Sequence, residues 1–417
     1  MVTAGATEIS PPLSSTVCPR VSLATLFIAH LQVGLTAFGA AIIQKITALV
    51  RTRRWLTEEE LNEGLALVQL YPGPMMVDFT AYTGYKLRGV PGALLCAVGF
   101  ILPSFMLMLA LSAVYFSVGN LPWAKPMFIG LEAIVVGIVV HMVLDFGARV
   151  LKGKLEALIA LAAFAALLFG VNPVLLVLAS LVLGALLLSP HKGSAGGTYP
   201  SQTHPLSPRR WAAIGLVVAV VVGVAVLAAA TPTDVGRMEL SFFKIGAVAF
   251  GNGITIMPLV QADVVNTYHW LSPAQFADGI ALGQITPGPG LITATFVGYK
   301  LGGLAGATLA TFAVFSPSIA MTLIFTELFT RLRNLRAIRG ALAGVMASFV
   351  GLLAVLALQL GAALSGPALS GPALAGAAAL TLAAGALVAI RFLKWDMLWV
   401  FLAGLAVWAV ALALGLA

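Results

Sequence analysis

Long apolar stretches separated by short polar turns run through almost the whole chain. A helix that crosses a bilayer needs about 20 apolar residues. Marking stretches of that kind gives thirteen segments, at residues 22–50, 58–88, 91–117, 127–147, 155–170, 173–189, 211–230, 240–266, 273–300, 303–328, 340–362, 374–390 and 396–416. The pattern predicts an all-α polytopic membrane protein. One long polar stretch, Ser189 to Arg210, is rich in Gly, Ser and Pro and reads as a flexible linker. Several segments are short or carry Pro-Gly breaks, so they need not all be straight crossings.

The segments repeat. Gln69-Leu70-Tyr71-Pro72-Gly73-Pro74 recurs as Gln284-Ile285-Thr286-Pro287-Gly288-Pro289. Thr80 then matches Thr295, Gly84-Tyr85-Lys86-Leu87 matches Gly298-Tyr299-Lys300-Leu301, and Pro103-Ser104 matches Pro317-Ser318. Upstream, Phe38-Gly39 matches Phe250-Gly251 and Trp55-Leu56 matches Trp270-Leu271. The expected organisation is an N-terminal cytoplasmic tail (1–21), a first repeat (22–190), a linker with one transmembrane helix (191–239) and a second repeat (240–417).

Six segments, one linker segment and six more would turn the second half upside down, and the basic residues test this. Arg51, Arg53 and Arg54 follow the first segment, whereas the matching stretch from Asn266 to His269 has no Lys or Arg. Arg331, Arg333, Arg336 and Arg339 have only Lys125 as a counterpart, and Arg149, Lys152 and Lys154 have none. Alternation of this kind is expected of inverted repeats under the positive-inside rule. Thirteen strict crossings would still put Arg51 to Arg54 outside. If the first two segments of each half are re-entrant hairpins, bent at Phe38-Gly39 and at Pro72-Gly73-Pro74, those arginines become cytoplasmic. Only Lys125, Arg237, Lys244 and Lys300 of the 23 basic residues then lie outside or toward it. Irregular backbone at membrane depth requires cover by protein or water.

Composition agrees. Of 417 residues, 60% are hydrophobic and 9% charged, against about 25% charged in soluble domains, which excludes a soluble enzyme, a secreted module or a disordered scaffold. The net charge of +8 is first the excess of cytoplasmic Lys and Arg, not a nucleic-acid footprint. Cys18 and Cys96 form no metal or redox spacing, and the polar start gives no cleaved signal peptide. No GxxxxGK[ST] loop, HExxH, zinc spacing or Gly-x-Ser-x-Gly elbow occurs, so neither ATP hydrolysis, a metal, a cofactor nor enzyme activity is expected.

Pro-Gly-Pro inside an apolar segment removes backbone donors and breaks the helix. Paired broken helices at matching positions of inverted halves point to a substrate site, and the half-helix after each break offers free N–H groups and a positive dipole end. That favours an anion. The substrate-binding candidates are Gln69, Pro72, Gly73, Pro74 and Thr80 in the first half, and Gln284, Pro287, Gly288, Pro289, Thr293 and Thr295 in the second. The threonines could equally back-bond to their own helices; Tyr71 and Thr286, just before the prolines, could also line the site. Lys45 and Lys244, within two turns of the Phe-Gly breaks, are the candidate cations. Lys86 and Lys300 sit about 18 Å from the breaks by helix rise and snorkel to the surface. Candidate proton-coupling groups are Asp78, Glu132 and His30. The run Glu58-Glu59-Glu60 after Thr57 reads as a capped, solvated helix start.

The two Pro-Gly-Pro breaks, the upstream Phe-Gly breaks, the Trp-Leu-Thr/Ser start of the next segment and the thirteen-segment, two-repeat layout resemble the chromate ion transporter (CHR) family in its long two-domain form. The resemblance covers nearly the whole chain. It implies export of chromate across the bacterial inner membrane, giving chromate resistance, with sulfate as a structurally similar anion. The family's usual Phe-Gly-Gly-Pro reads Phe38-Gly39-Ala40-Ala41 here, and its second glycine run reads Phe250-Gly251-Asn252-Gly253. The expected function is secondary-active oxyanion transport, driven by the membrane potential or a proton gradient. A transporter of sulfate or another small anion is the alternative, and an intramembrane enzyme or scaffold the alternative from another class. The lipid bilayer is the expected environment, and a homodimer is compatible with the sequence.

Overall fold

The computed structural model describes residues 21–39, 41–118, 125–188, 207–251, 253–332, 336–370 and 373–414. The N-terminal tail, Ala40, Asn252, Arg333 and the linker as far as residue 206 lie outside the described residues, as do the side chains of Lys125, Arg331 and Arg336. Fifteen α-helices are described. They are α1 (Leu23–Thr36), α2 (Ala41–Thr52), α3 (Glu58–Leu67), α4 (Met75–Val118), α5 (Lys125–Val150), α6 (Lys154–Leu168), α7 (Pro173–Leu187), α8 (Pro208–Ala230), α9 (Asp234–Val248), α10 (Met257–Gln261), α11 (Pro273–Ile285), α12 (Thr293–Leu332), α13 (Arg336–Ser370), α14 (Ala373–Arg391) and α15 (Met397–Ala413). Five of them, α4, α5, α8, α12 and α13, are long and apolar enough to span a bilayer, and α1, α7, α14 and α15 are shorter apolar helices. The protein is an all-α, multi-pass membrane protein.

The first segment does not form one helix. It breaks after Thr36 into α1, of 14 residues, and α2, of 12. The chain also turns back there, because the Trp55 ring beyond α2 stacks on His30 in the middle of α1 at 6.2 Å. The second segment does the same. α3 starts at a capping box between Thr57 and Glu60 and ends before the Pro72-Gly73-Pro74 break. The first arm of α4 then returns beside it: Tyr82 Oη donates to the Glu60 carbonyl at 2.7 Å, and Lys86 Nζ lies 3.6 Å from Glu63.

A straight helix the length of α4 would be about 66 Å long, twice a bilayer core. Instead Arg88 (φ −140°, ψ 16°) and Gly89 (φ 64°, ψ −152°) reverse the chain. The arms 75–87 and 90–118 then pack so tightly that a Cβ on Gly84 would overlap the Gly92 carbonyl. In α12 the reversal falls at Gly302 (φ −147°, ψ 24°) and Gly303 (φ 55°, ψ −140°), with Gly298 against Gly306. Thr295 Oγ1 consequently lies 2.7 Å from Thr311 Oγ1.

The two bent helices run in opposite directions. Tyr85, beside the turn of α4, donates to Glu327 near the end of α12, and Arg210 of α8 approaches the same carboxylate at 3.8 Å. Tyr299, beside the turn of α12, stacks on Phe116 near the end of α4 at 6.1 Å. Further along, the halves interlock: α5 packs on α14 and α15, while α13 packs on α6 and α7. These contacts are close because small residues let backbones meet, Gly137 on the Ala383 carbonyl, Gly351 on the Ala160 carbonyl and Gly184 on Gly344.

Candidate functional site

The four helix breaks meet, and they do so crosswise. Gly73-Pro74 (β1) of the first half pairs in parallel with Phe250-Gly251 (β2) of the second, Gly73 opposite Phe250 and Pro74 opposite Gly251. The Gly288 N–H of the second half donates to the Ala37 carbonyl of the first at 2.9 Å. Each Pro-Gly-Pro turn is thus tied to the Phe-Gly break of the other half. Proline's lack of an N–H is what leaves unpaired backbone groups here, and the partner half satisfies them.

Two serines brace the crossing. Ser104 Oγ donates to the Pro287 carbonyl at 2.5 Å and sits where a Cβ on Gly288 would go. Its repeat partner Ser318 lies on Gly73, where an added Cβ would meet the Ser318 Cβ at 3.0 Å and overlap the Asp78 carboxylate. Asp78 is fully buried and faces Ser318 and Thr322. Those hydroxyls already donate to the Phe315 and Ser318 carbonyls, each at 3.0 Å, and Thr322 also pairs with Tyr71 Oη at 2.8 Å.

Beside the crossing lies a cavity of about 940 Å³. Its inner wall is Thr36, Gly39, Gly251, Gln284, Thr286 and Gly288, drawn from both halves, with Met75 and Met76 at the start of the first α4 arm. From there it runs along α5, past His141 and Asp145, to the exposed corner at Arg149 and Lys152. Lys45 is the charged residue of the inner wall, its Nζ donating to the Thr36 carbonyl at 2.5 Å. That carbonyl is one of the unpaired acceptors at the end of α1. Charge along the outer wall is mixed: Arg149 and Lys152 line it together with Asp145, Glu156 and Asp396.

The residues singled out by sequence divide accordingly. Lys45, Gln284 and Gly288 line the cavity, and Gly73 and Pro74 hold the crossing. Gln69 is exposed, donates to the Leu65 carbonyl at 2.9 Å and lies off the cavity wall. Thr80, Thr293 and Thr295 are buried and engaged locally, with the Met76 carbonyl, the Gly290 carbonyl and Thr311 respectively. Pro72, Pro287 and Pro289 shape the turns without touching the cavity. Lys244 is exposed and lies off the wall too. Glu132 is buried on α5, and His30 is buried with its Nδ1 on the Leu26 carbonyl at 2.8 Å.

Comparison with known proteins agrees with this two-part architecture. The chromate transporter family matches twice, over residues 24–185 and again over residues 236–409. The chain belongs to the chromate transporter family. It is 32% identical over 346 residues to a chromate transport protein of Cupriavidus metallidurans, covering 80% of this chain and 81% of the relative. It is 33% identical over 349 residues to a chromate transport protein of Pseudomonas aeruginosa, covering 82% of each. An uncharacterised transporter of Methanocaldococcus jannaschii is 31% identical over 349 residues, covering 81% of this chain and 84% of the relative. No solved structure gives a significant match.

Sequence reasoning missed several residues of this chromate-transporter-family site. Ser104 and Ser318 were visible as a matched pair, but their reach onto the opposite turn needs the folded crossing. His141 carried a signal as an ionisable residue inside an apolar segment. Asp278, buried on α11 and hydrogen-bonded by Tyr115 Oη at 2.7 Å, carried the same signal but lies off the cavity wall.

Proposed function

We propose that this protein exports chromate across the bacterial inner membrane and thereby confers chromate resistance. The observation that carries the reading is the cavity whose inner wall is built from the helix breaks of both halves, with Lys45 as its charge. Membership of the chromate transporter family supports it, and relatives named chromate transport proteins favour chromate as the substrate.

In this reading the halves are inverted repeats, and the segments bent at Phe38-Gly39, Pro72-Gly73-Pro74 and their counterparts are re-entrant. The fold-back of Trp55 onto His30 and of Tyr82 onto Glu60 supports the re-entrant reading. Arg51 to Arg54 and the Arg149–Lys152 corner share the cytoplasmic face. A dianion enters from that face and meets Lys45, Gln284, Thr286 and the backbone around Gly288. The positive end of the half-helix that starts at Met75 adds to the attraction. The field then favours exit, at about 2.3 kcal/mol per charge per 100 mV for a cell negative inside. Asp78, Glu132 and His30 are the groups through which a proton gradient would couple.

Uptake of labelled chromate into inverted vesicles tests the proposal, with labelled sulfate in parallel. Accumulation of chromate against its gradient, abolished by collapsing the membrane potential, is the expected result. Equal or faster sulfate uptake would move the assignment to sulfate, and no uptake of either would overturn it.

A further inference from the structure

The cavity-facing stripe of α5 carries His141, Asp145 and Arg149, spaced one helical turn apart and so stacked along one wall. Eight residues of helix rise set Arg149 about 12 Å nearer the mouth than His141. Arg149 makes an ion pair with Asp145 of its own helix. Exposed pairs of this i,i+4 type are weak, so this one is cheap to open. One turn deeper, His141 Nδ1 is buried with no hydrogen-bond partner. A guanidinium paired with a carboxylate of its own helix and, one turn deeper, an imidazole whose buried Nδ1 has no partner thus line the same cavity as Lys45.

We propose that Arg149 and His141 form a second anion station at the mouth of the cavity, and that Asp145 occupies Arg149 as an internal stand-in for the oxyanion until substrate arrives. A tetrahedral dianion offers the guanidinium the same paired oxygen acceptors as a carboxylate, with greater charge. On arrival it displaces Asp145, whose negative charge then opposes a long stay and favours passage inward. His141 receives the anion next. The station rests on the transport reading above, in which the cavity is the route of the anion.

The stand-in role predicts opposite signs for the two members of one ion pair. In proteoliposomes, Arg149→Met raises the KM for chromate about tenfold, as expected for loss of a charged hydrogen bond. Asp145→Asn lowers KM several-fold, because it frees the guanidinium, and slows turnover. The double variant behaves like Arg149→Met. His141→Phe raises KM while Asp145→Asn still lowers it. The pair Asp234–Arg237, of similar exposed chemistry but off the cavity wall, is the control. Asp234→Asn and Arg237→Met leave KM unchanged. A merely structural ion pair would make Asp145→Asn and Arg149→Met shift KM and protein level in the same direction, which overturns the proposal. So does a KM unchanged in both while wild-type protein transports chromate. Absence of chromate transport by the wild type would instead defeat the underlying reading.

Discussion

Gly288 of the second half donates its backbone N–H to the Ala37 carbonyl of the first at 2.9 Å. Its φ of 103° lies in the left-handed region, and a Cβ there would overlap Ser104 Oγ. The position therefore demands glycine twice, for conformation and for space. Gly288→Ala costs roughly 1–3 kcal/mol of backbone strain alone, before the clash with Ser104. Expected is a protein that still inserts but loses at least about tenfold of its chromate transport. Vesicle uptake normalised to protein level measures this, and Gly73→Ala, which collides with Asp78 and Ser318, behaves alike.

The doubling back of α12 gives a covalent test. Two hydroxyl oxygens 2.7 Å apart at Thr295 and Thr311 bring the side chains within reach of a disulfide. A straight helix would hold them about 24 Å apart. Thr295→Cys with Thr311→Cys should cross-link under mild oxidation, read as a linked peptide pair by mass spectrometry. An absent cross-link in folded protein would refute the bent α12.

Much of this was legible in the chain. The breaks followed from Phe-Gly and Pro-Gly-Pro, because proline and glycine act locally, and the turns of α4 and α12 fall at the boundaries between segments 58–88 and 91–117 and between 273–300 and 303–328. The pairing of bends was not legible. Nothing in the sequence says that Gly73 meets Phe250 of the other half rather than Phe38 of its own, since that depends on how the halves interlock. The candidate site split for the same reason. Gln69 and Gln284 occupy matching positions in the repeat, yet Gln284 lines the cavity while Gln69 is turned onto the Leu65 carbonyl, a difference that depends on tertiary packing and not on the repeat pattern.

The proposed re-entrant topology predicts sidedness. A cysteine at position 53 should react with impermeant reagents only from the cytoplasmic face, and cysteines at 266–269 only from the opposite one. Single-cysteine labelling in intact cells and in inverted vesicles provides the readout. A cysteine at position 53 labelled from outside intact cells would sink the re-entrant arrangement.

The glutamine pair predicts a difference in access. A cysteine at Gln284 should label from the face on which the cavity opens, and chromate should protect it. A cysteine at Gln69 should stay unprotected in this conformation, because its side chain is turned onto the Leu65 carbonyl and off the cavity wall. Equal protection of both would mean that the anion sits between the two glutamines, deeper than the cavity's inner wall.

The lysines make the sharpest comparison. Lys45 is exposed but lines the cavity, with its Nζ on the Thr36 carbonyl, so its charge faces the proposed route of the anion. Lys45→Met keeps most of the apolar stem and should lower chromate transport tenfold or more, an effect of roughly 1.5–3 kcal/mol for a hydrogen bond to a charged group. Lys244 is exposed and off the wall, Lys86 is engaged by Glu63 at 3.6 Å, and Lys300 lies over the Phe116 ring at 5.1 Å. None of these three lysines lines the cavity. Their Met variants should therefore change transport less than threefold, with resistance of cells on chromate plates as a second readout. If Lys244→Met were as damaging as Lys45→Met, the anion would have to pass both lysines. The cavity seen here would then be only one of two conformations the transport cycle visits.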